Sequence, residues 1–163
     1  MKKLFIVSAF IVGAMSLNAQ ESVFQLSLTP DIAIQSRTTD IRGLSLGFWS
    51  ENPQHSLTLG FVNGSTGDSG GFSWAFIANY DDSYTGVQWG LVNYSKQNFL
   101  GWQNGLVNCS EGSFKGLQWG FVNYAEKLNG VQIGFVNVAM NNPWFDEFPN
   151  KLAKGFPIVN WSF

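Results

Sequence analysis

Gly116-Leu-Gln-Trp-Gly-Phe-Val-Asn-Tyr124 is one of four similar segments that follow one another along the chain. The others are Gly86-Val-Gln-Trp-Gly-Leu-Val-Asn-Tyr94, Gly101-Trp-Gln-Asn-Gly-Leu-Val-Asn-Cys109 and Gly130-Val-Gln-Ile-Gly-Phe-Val-Asn-Val138. All four fit the pattern Gly-x-Gln-x-Gly-(Leu/Phe)-Val-Asn, and their central glycines are 15, 15 and 14 residues apart. Self-similarity at a fixed period is typical of a fold built from stacked or neighbouring copies of one unit.

Apolar and polar side chains alternate within each copy, which is the period of a β-strand rather than of a helix. Degenerate copies extend the pattern, so the sequence predicts an all-β chain. The predicted strands cover residues 23–29, 43–49, 56–63, 71–80, 86–94, 101–109, 116–124, 130–138 and 157–163. The repeated positions expected to carry the architecture are Gly86, Gln88, Gly90, Asn93, Gly101, Gln103, Gly105, Asn108, Gly116, Gln118, Gly120, Asn123, Gly130, Gln132, Gly134 and Asn137.

One face of these strands is almost wholly Phe, Trp, Leu, Ile or Val, the other is small or polar, and the charges fall between strands. A soluble barrel would leave an uncharged exterior of Gly, Gln and Ser, which is poor for solubility. We therefore expect an antiparallel up-and-down transmembrane β-barrel of about 8–10 short strands, with a narrow lumen lined by the polar face. The residues predicted to face outer-membrane lipid are Trp89, Trp119, Phe121, Phe135, Trp161 and Phe163.

The two ends of the chain support export to the cell envelope. Lys2 and Lys3 precede an apolar run that ends in Leu17-Asn-Ala19, the pattern of a signal peptide over residues 1–19 followed by one domain over 20–163. The last strand alternates and ends in an aromatic residue, Phe163, and so resembles the insertion signal of bacterial outer-membrane barrels. We expect an outer-membrane location, with a cell-surface or secreted protein as the alternative.

The main alternative fold is a parallel β-solenoid, in which Asn93, Asn108, Asn123 and Asn137 would stack as a ladder. Two observations favour the barrel. A 15-residue coil spends nine residues on one wall and leaves six with little apolar material for an opposing wall. The copies 30 residues apart also match slightly better than adjacent ones. Nine strands is an odd number, however, and bacterial barrels have even numbers, so either one candidate is not a strand or residues 30–42 or 140–156 hold a tenth.

The repeat resembles the bacterial "surface repeat" proteins, which carry runs of Gly-Leu-Gln-x-Gly-Leu-x-Asn. Segments 24–30 and 156–163 are also similar to the sequences that flank such repeats. The resemblance implies an envelope or surface location. It implies no activity and no functional residue.

Few residues suggest chemistry. Gly67-Asp-Ser-Gly-Gly71 matches the nucleophile motif of chymotrypsin-like proteases, but His55 is the only histidine. At opposite ends of strand 56–63, Ser69 and His55 would lie roughly 25 Å apart. The acidic pairs Asp81-Asp82 and Asp146-Glu147 are interpreted as solvated turn charges.

Two further features are interpreted structurally. Cys109 is interpreted as a small core or lumen residue. The repeated glutamines either line a path for a solute or, as we favour, hydrogen-bond one another inside a plugged lumen.

Composition excludes several classes of protein. Only 12% of the residues are charged, the net charge is −2, and no basic stripe exists that could hold a nucleic acid. One His and one Cys exclude a multi-ligand His/Cys metal site. We therefore expect no enzyme activity, no metal and no cofactor, and either a structural or interaction role in the envelope or, alternatively, an exported β-solenoid adhesin or surface-binding module.

Overall fold

The computed structural model describes residues 20–163, so the predicted signal peptide over 1–19 lies outside the described residues. Within 20–163 the chain forms seven strands in one sheet. Their bounds are β1 Glu21–Thr29, β2 Ile32–Ala33, β3 Asp40–Asn52, β4 His55–Trp89, β5 Val92–Ser95, β6 Asn98–Ala139 and β7 Gly155–Ser162. Across residues 20–163, the structure contains no helix with the length and apolar character needed to cross a membrane.

The prediction of an all-β chain is confirmed, and the predicted antiparallel barrel is wrong: the strands form a β-solenoid of about six turns. Neighbouring turns pair in parallel, with Leu44 opposite Leu57 and Val92 opposite Val107. The long strands β4 and β6 each run through more than one turn. The 15-residue repeat is therefore one coil of the solenoid, and each copy hydrogen-bonds to the copy above and below it.

The expectation that a 15-residue coil lacks material for a core is wrong because the core is mostly polar. The small and polar face of each strand points into the solenoid, and the apolar face points outward. Gln88, Gln103, Asn93 and Asn108 are buried, whereas the apolar Trp89 between them is 47% exposed. Close packing here comes from stacked amides and glycines rather than from aliphatic side chains.

One corner of the interior is apolar. Tyr84, Phe99, Phe114 and Leu128 occupy equivalent positions in successive coils, and the rings of Phe99 and Phe114 stack at 5.3 Å. These four residues lie in segments that the sequence pattern assigns to connectors between strands. The connectors therefore form the remaining walls of the coil and supply its hydrophobic core.

Each end of the solenoid is covered by an antiparallel element. At the N-terminal end β1 pairs in parallel with β3 and turns back into the two-residue β2. At the C-terminal end β7 pairs antiparallel with β6. Of the residues 140–156 expected to hold a further strand, 140–154 form no strand apart from a single bridge between Lys151 and Ser162, and 155–156 begin β7. Because the end coils are capped, the polar interior does not open to solvent there.

Candidate functional site

The interior is held by a ladder of asparagine amides that runs along the solenoid axis. Each Nδ2 donates to the Oδ1 of the next asparagine, at 2.8 Å from Asn93 to Asn108, from Asn108 to Asn123 and from Asn123 to Asn137. Asn79 extends the ladder by donating to Asn93 at 2.8 Å. The amides also donate to backbone carbonyls, as Asn108 does to Trp119 O at 2.9 Å. Buried amides are stable here because each one is bonded on both sides.

A second ladder is formed by the repeated glutamines. Gln103 donates to Gln88 at 3.2 Å, Gln118 to Gln103 at 3.0 Å and Gln132 to Gln118 at 2.8 Å. The prediction that these side chains hydrogen-bond one another is confirmed, although they stack along the core of a solenoid instead of plugging a barrel lumen.

The glutamine ladder ends on Asp81, which the sequence placed in a solvated turn. Asp81 is 3% exposed, and its carboxylate accepts hydrogen bonds from Gln88 at 2.7 Å and Ser95 at 2.9 Å. Its Oδ1 has no partner among residues 20–163. Burial raises the pKa of Asp81 to about 7, against the two hydrogen bonds, which lower it.

The repeated glycines are required by close contact between coils. Gly101 has a φ of 138°, and a Cβ on it would overlap the carbonyl oxygen of Gly86 in the preceding coil. At Gly120 a Cβ would overlap the carbonyl oxygen of Gly105 and lie 2.6 Å from Nδ2 of Asn108. Glycine therefore lets the backbones stack and leaves room for the asparagine ladder.

The outward side of the same coils carries four columns of side chains, which together we term the apolar face. The Phe/Leu column is Phe48, Phe61, Phe76, Leu91, Leu106, Phe121 and Phe135. The Trp column is Trp74, Trp89, Asn104, Trp119 and Ile133, and the Val column is Val62, Ala78, Val92, Val107, Val122 and Val136. The fourth, which we term the Val87 column, is Leu57, Phe72, Val87, Trp102, Leu117 and Val131. Rings stack between coils, at 4.7 Å from Phe48 to Phe61 and 5.1 Å from Phe121 to Phe135.

The apolar face is uncharged and open to solvent. Phe135 is 68% exposed, Leu106 58% and Trp119 54%. Side chains of this size are normally buried, and a contiguous exposed patch of them marks an interaction site. The residues predicted to face lipid on these strands, Trp89, Trp119, Phe121 and Phe135, all belong to this face.

Asn104 is the single polar residue in the four columns. Its smaller side chain leaves a shallow depression of about 590 Å³ between the Trp and Phe/Leu columns. With the amide oriented to satisfy its neighbours, Asn104 accepts from Trp89 Nε1 at 3.1 Å and donates to the Trp119 carbonyl at 3.3 Å. The amide is therefore bonded to the protein on both sides, although it lies in an apolar surface.

A row of tyrosines borders the Val column, with Tyr80 in register with Tyr94 and Cys109 between Tyr94 and Tyr124. Their hydroxyls face carboxylates: Tyr80 donates to Glu51, and Tyr124 donates to Glu126 at 2.8 Å. Burial, together with the Glu51 carboxylate, raises the pKa of Tyr80 to about 12. Hydrogen bonding to Glu111 raises the pKa of Tyr94. The row therefore has an apolar side toward the columns and a polar side toward the charges.

The last strand places its two predicted lipid-facing residues differently. Trp161 contacts Phe148 at 6.3 Å between ring centres and donates to the Pro149 carbonyl at 2.7 Å, so segment 140–156 partly covers it. Phe163 is 69% exposed at the end of the chain. Trp161 is therefore part of the C-terminal cap and lies opposite Val131, at the end of the Val87 column.

The predicted separation of Ser69 and His55 is wrong, because a 15-residue coil stacks residue 54 beside residue 69. Both side chains line one small cavity, and His55 Nδ1 lies 3.3 Å from Asp40 Oδ1. Ser69 Oγ, however, donates to the Thr66 carbonyl at 2.9 Å and accepts from the Gln54 amide at 3.1 Å. No hydrogen bond joins Ser69 to His55 in the described part of the chain, so the pair lacks the contact that activates a serine nucleophile.

The remaining candidates have structural partners. Asp82 accepts from the Gly67 amide at 2.9 Å, and Glu147 forms an ion pair with Lys151 at 2.8 Å. Burial raises the pKa of Cys109, which lies half-buried in the tyrosine row and not in the core. Within residues 20–163 no group of three or more His, Cys, Asp or Glu side chains is arranged to hold a metal ion.

In comparisons with known proteins, no family model, no curated protein and no solved structure matches this chain.

Proposed function

We propose that the chain is an exported β-solenoid module that binds a surface through its apolar face. The observation that carries the proposal is the combination of a core satisfied by amide ladders with an outward face of uncharged, half-exposed aromatic and aliphatic side chains. The fold does not need these side chains in its interior, so their exposure is a cost in water that binding would remove.

Export rests on the predicted signal peptide over residues 1–19, and a location at the envelope is supported by the resemblance of the repeat to bacterial surface repeat proteins. We propose no catalysis. The hydroxyl of Ser69 is bonded to the backbone, and the apolar face offers neither a nucleophile nor an acid–base pair.

Cosedimentation with isolated bacterial cell envelopes tests the proposal. The mature chain is expected to sediment with envelopes, and Leu106→Ser, on the apolar face, is expected to reduce binding. Leu100→Ser is the matched control: Leu100 lies beyond the Val87 column and outside the apolar face, opposite Thr85 in the adjacent coil, and it is 47% exposed and near Asp68 and Lys115.

Equal envelope binding by both variants would show that the apolar face is not the contact surface. Far-UV circular dichroism on each variant checks that the solenoid is intact. Because both leucines are exposed, neither substitution removes a core contact.

A further inference from the structure

We infer that the partner of the apolar face is a lipid surface, on which the solenoid docks without spanning it. This inference rests on the proposed function, since it names the chemistry of the surface that the module binds. It differs from the predicted barrel because the same outward side chains would enter only one side of the lipid layer.

The first argument is the state of the backbone. In the parallel ladders each coil hydrogen-bonds to its neighbours, with Val87 opposite Trp102 and Gln88 opposite Gln103. The outward surface of the columns therefore presents side chains rather than free N–H or C=O groups. A hydrocarbon phase tolerates such a surface, because it cannot satisfy unpaired backbone groups.

The second argument is the order in which apolar, aromatic and charged side chains follow one another across the surface. The Val column is followed by the tyrosine row, and then by a charged column that includes Lys96, Glu111 and Glu126. Tyrosine and tryptophan accumulate where an acyl region meets water, because one end of each side chain is apolar and the other is polar. Tyr124 has this orientation, with its ring beside the columns and its hydroxyl on Glu126.

The third argument concerns Asn104, the one amide side chain within the columns. A solvated amide at position 104 would cost free energy on transfer to an apolar phase. Both polar ends of Asn104 are instead bonded, to Trp89 and to the Trp119 carbonyl. A bonded amide is much less costly to bury than a free one, so Asn104 does not prevent lipid contact.

The repetition of the face favours a fluid partner over a second copy of the chain. Leu91 and Leu106, or Phe121 and Phe135, are nearly equivalent positions in successive coils. A protein partner could therefore bind in several registers displaced by one coil, because repeated positions specify register weakly. A lipid layer requires no register.

Binding to vesicles tests the inference. The mature chain is mixed with vesicles of phosphatidylcholine, and with vesicles in which phosphatidylglycerol replaces a third of the lipid. We expect binding to both at high salt, because the apolar face is uncharged and the mature chain, without Lys2 and Lys3, has seven Lys and Arg against eleven Asp and Glu, a net charge of −4. Leu106→Ser is expected to lower partitioning roughly tenfold, since burial of one leucine contributes on that order, whereas Leu100→Ser stays within about twofold of the parent.

Phosphatidylcholine brominated on its acyl chains adds a readout of depth. Tryptophan fluorescence should be quenched by these vesicles, and Trp119→Phe should remove part of the quenching without reducing binding more than about twofold. Quenching that is unchanged in this variant would place Trp119 outside the lipid and overturn the inference.

Three other results would also overturn it. The first is binding to cell envelopes that depends on Leu106 together with no binding to phosphatidylcholine vesicles. That result would keep the proposed function but assign the apolar face a different ligand. The second is a dimer in solution that Leu106→Ser dissociates, which assigns the face to a second copy. The third is competition of envelope binding by soluble envelope polysaccharide, which assigns it to a glycan.

Discussion

Replacement of Asn108 by alanine is expected to destabilise the solenoid strongly, because this amide lies in the middle of the asparagine ladder. Its side chain is fully buried. It donates to Asn123 at 2.8 Å and to the Trp119 carbonyl at 2.9 Å, and it accepts from Asn93 at 2.8 Å. Alanine removes all three hydrogen bonds and adds no apolar contact to compensate.

The size of the expected destabilisation follows from the buried polar atoms that lose a hydrogen-bond partner. The Asn123 Oδ1 loses its partner, the Trp119 carbonyl keeps only the longer hydrogen bond from Asn104 at 3.3 Å, and the Asn93 amide keeps its bond to the Asn104 carbonyl at 2.9 Å. A buried polar atom without a partner costs roughly 1–3 kcal/mol. We expect Asn108→Ala to lower the free energy of unfolding by about 3–5 kcal/mol, a large part of the roughly 5–15 kcal/mol typical of a domain.

Two variants serve as controls. Asn98→Ala makes the same chemical change at an exposed position, and the expected effect is within about 0.5 kcal/mol. Leu106→Ala truncates an apolar side chain that is 58% exposed, and about 1 kcal/mol or less is expected because much of that side chain already meets water.

Urea denaturation followed by far-UV circular dichroism measures these effects. The midpoints are compared only if the slopes agree, since a changed slope indicates partial unfolding of a repeat array. A loss at Leu106 larger than the loss at Asn108 would refute the reasoning, because it would mean that the apolar side of the strands is the interior.

Three further predictions concern pH, backbone and export. The pKa of Asp81 is about 7 in the folded chain and near 3.8 when unfolded, so the folded state binds more protons between these two pH values. The free energy of unfolding is therefore expected to fall as pH rises from about 4 to 7, by up to roughly 4 kcal/mol. Asp81→Asn should flatten this dependence in urea titrations at several pH values, and an unchanged slope would show that Asp81 is not the titrating group. Gly101→Ala should lower the free energy of unfolding by more than the roughly 1–3 kcal/mol of backbone strain alone, because the new Cβ meets the Gly86 carbonyl. Gly67→Ala is the control and should cost only the strain, because Gly67 has φ 63° and no atom within 4 Å of the new Cβ. Equal shifts in melting temperature would contradict the close stacking of the coils. Mass spectrometry of the exported protein should show a mature chain that starts at Gln20, and an intact N-terminus would show that the leader is retained.

Some of this structure was readable from the sequence for local reasons. The alternation in Gly116–Tyr124 specifies a strand and the two sets of side chains on its faces, because successive residues of an extended chain point to opposite sides. The separation of apolar and polar residues onto two faces also predicted that Trp89 and Trp119 point outward and that Gln88 and Gln118 point inward. Both assignments are confirmed. The expectation that a solenoid would produce an asparagine ladder is confirmed as well.

Other features depended on which strands are neighbours. A repeat of 15 residues fits one coil of a solenoid and also one strand and turn of a chain of hairpins, so alternation within a copy does not distinguish a parallel from an antiparallel neighbour. The expected barrel came from the assumption that a solenoid needs apolar material on every wall. The amide ladders of the core and the ring stack of Phe99 on Phe114 show how this coil closes without it.

The sequence by itself determined the strand period, the repeat length and the composition of the two faces, since each of these is a property of residues close together in the chain. The tertiary structure alone decided that residue 54 lies beside residue 69, that Asp81 is buried, and that the outward columns of six turns join into one apolar face. The physical reason is that each of these depends on the stacking of one coil on the next. Stacking direction is set by hydrogen bonds between residues about 15 positions apart, and no pattern within a single copy encodes it.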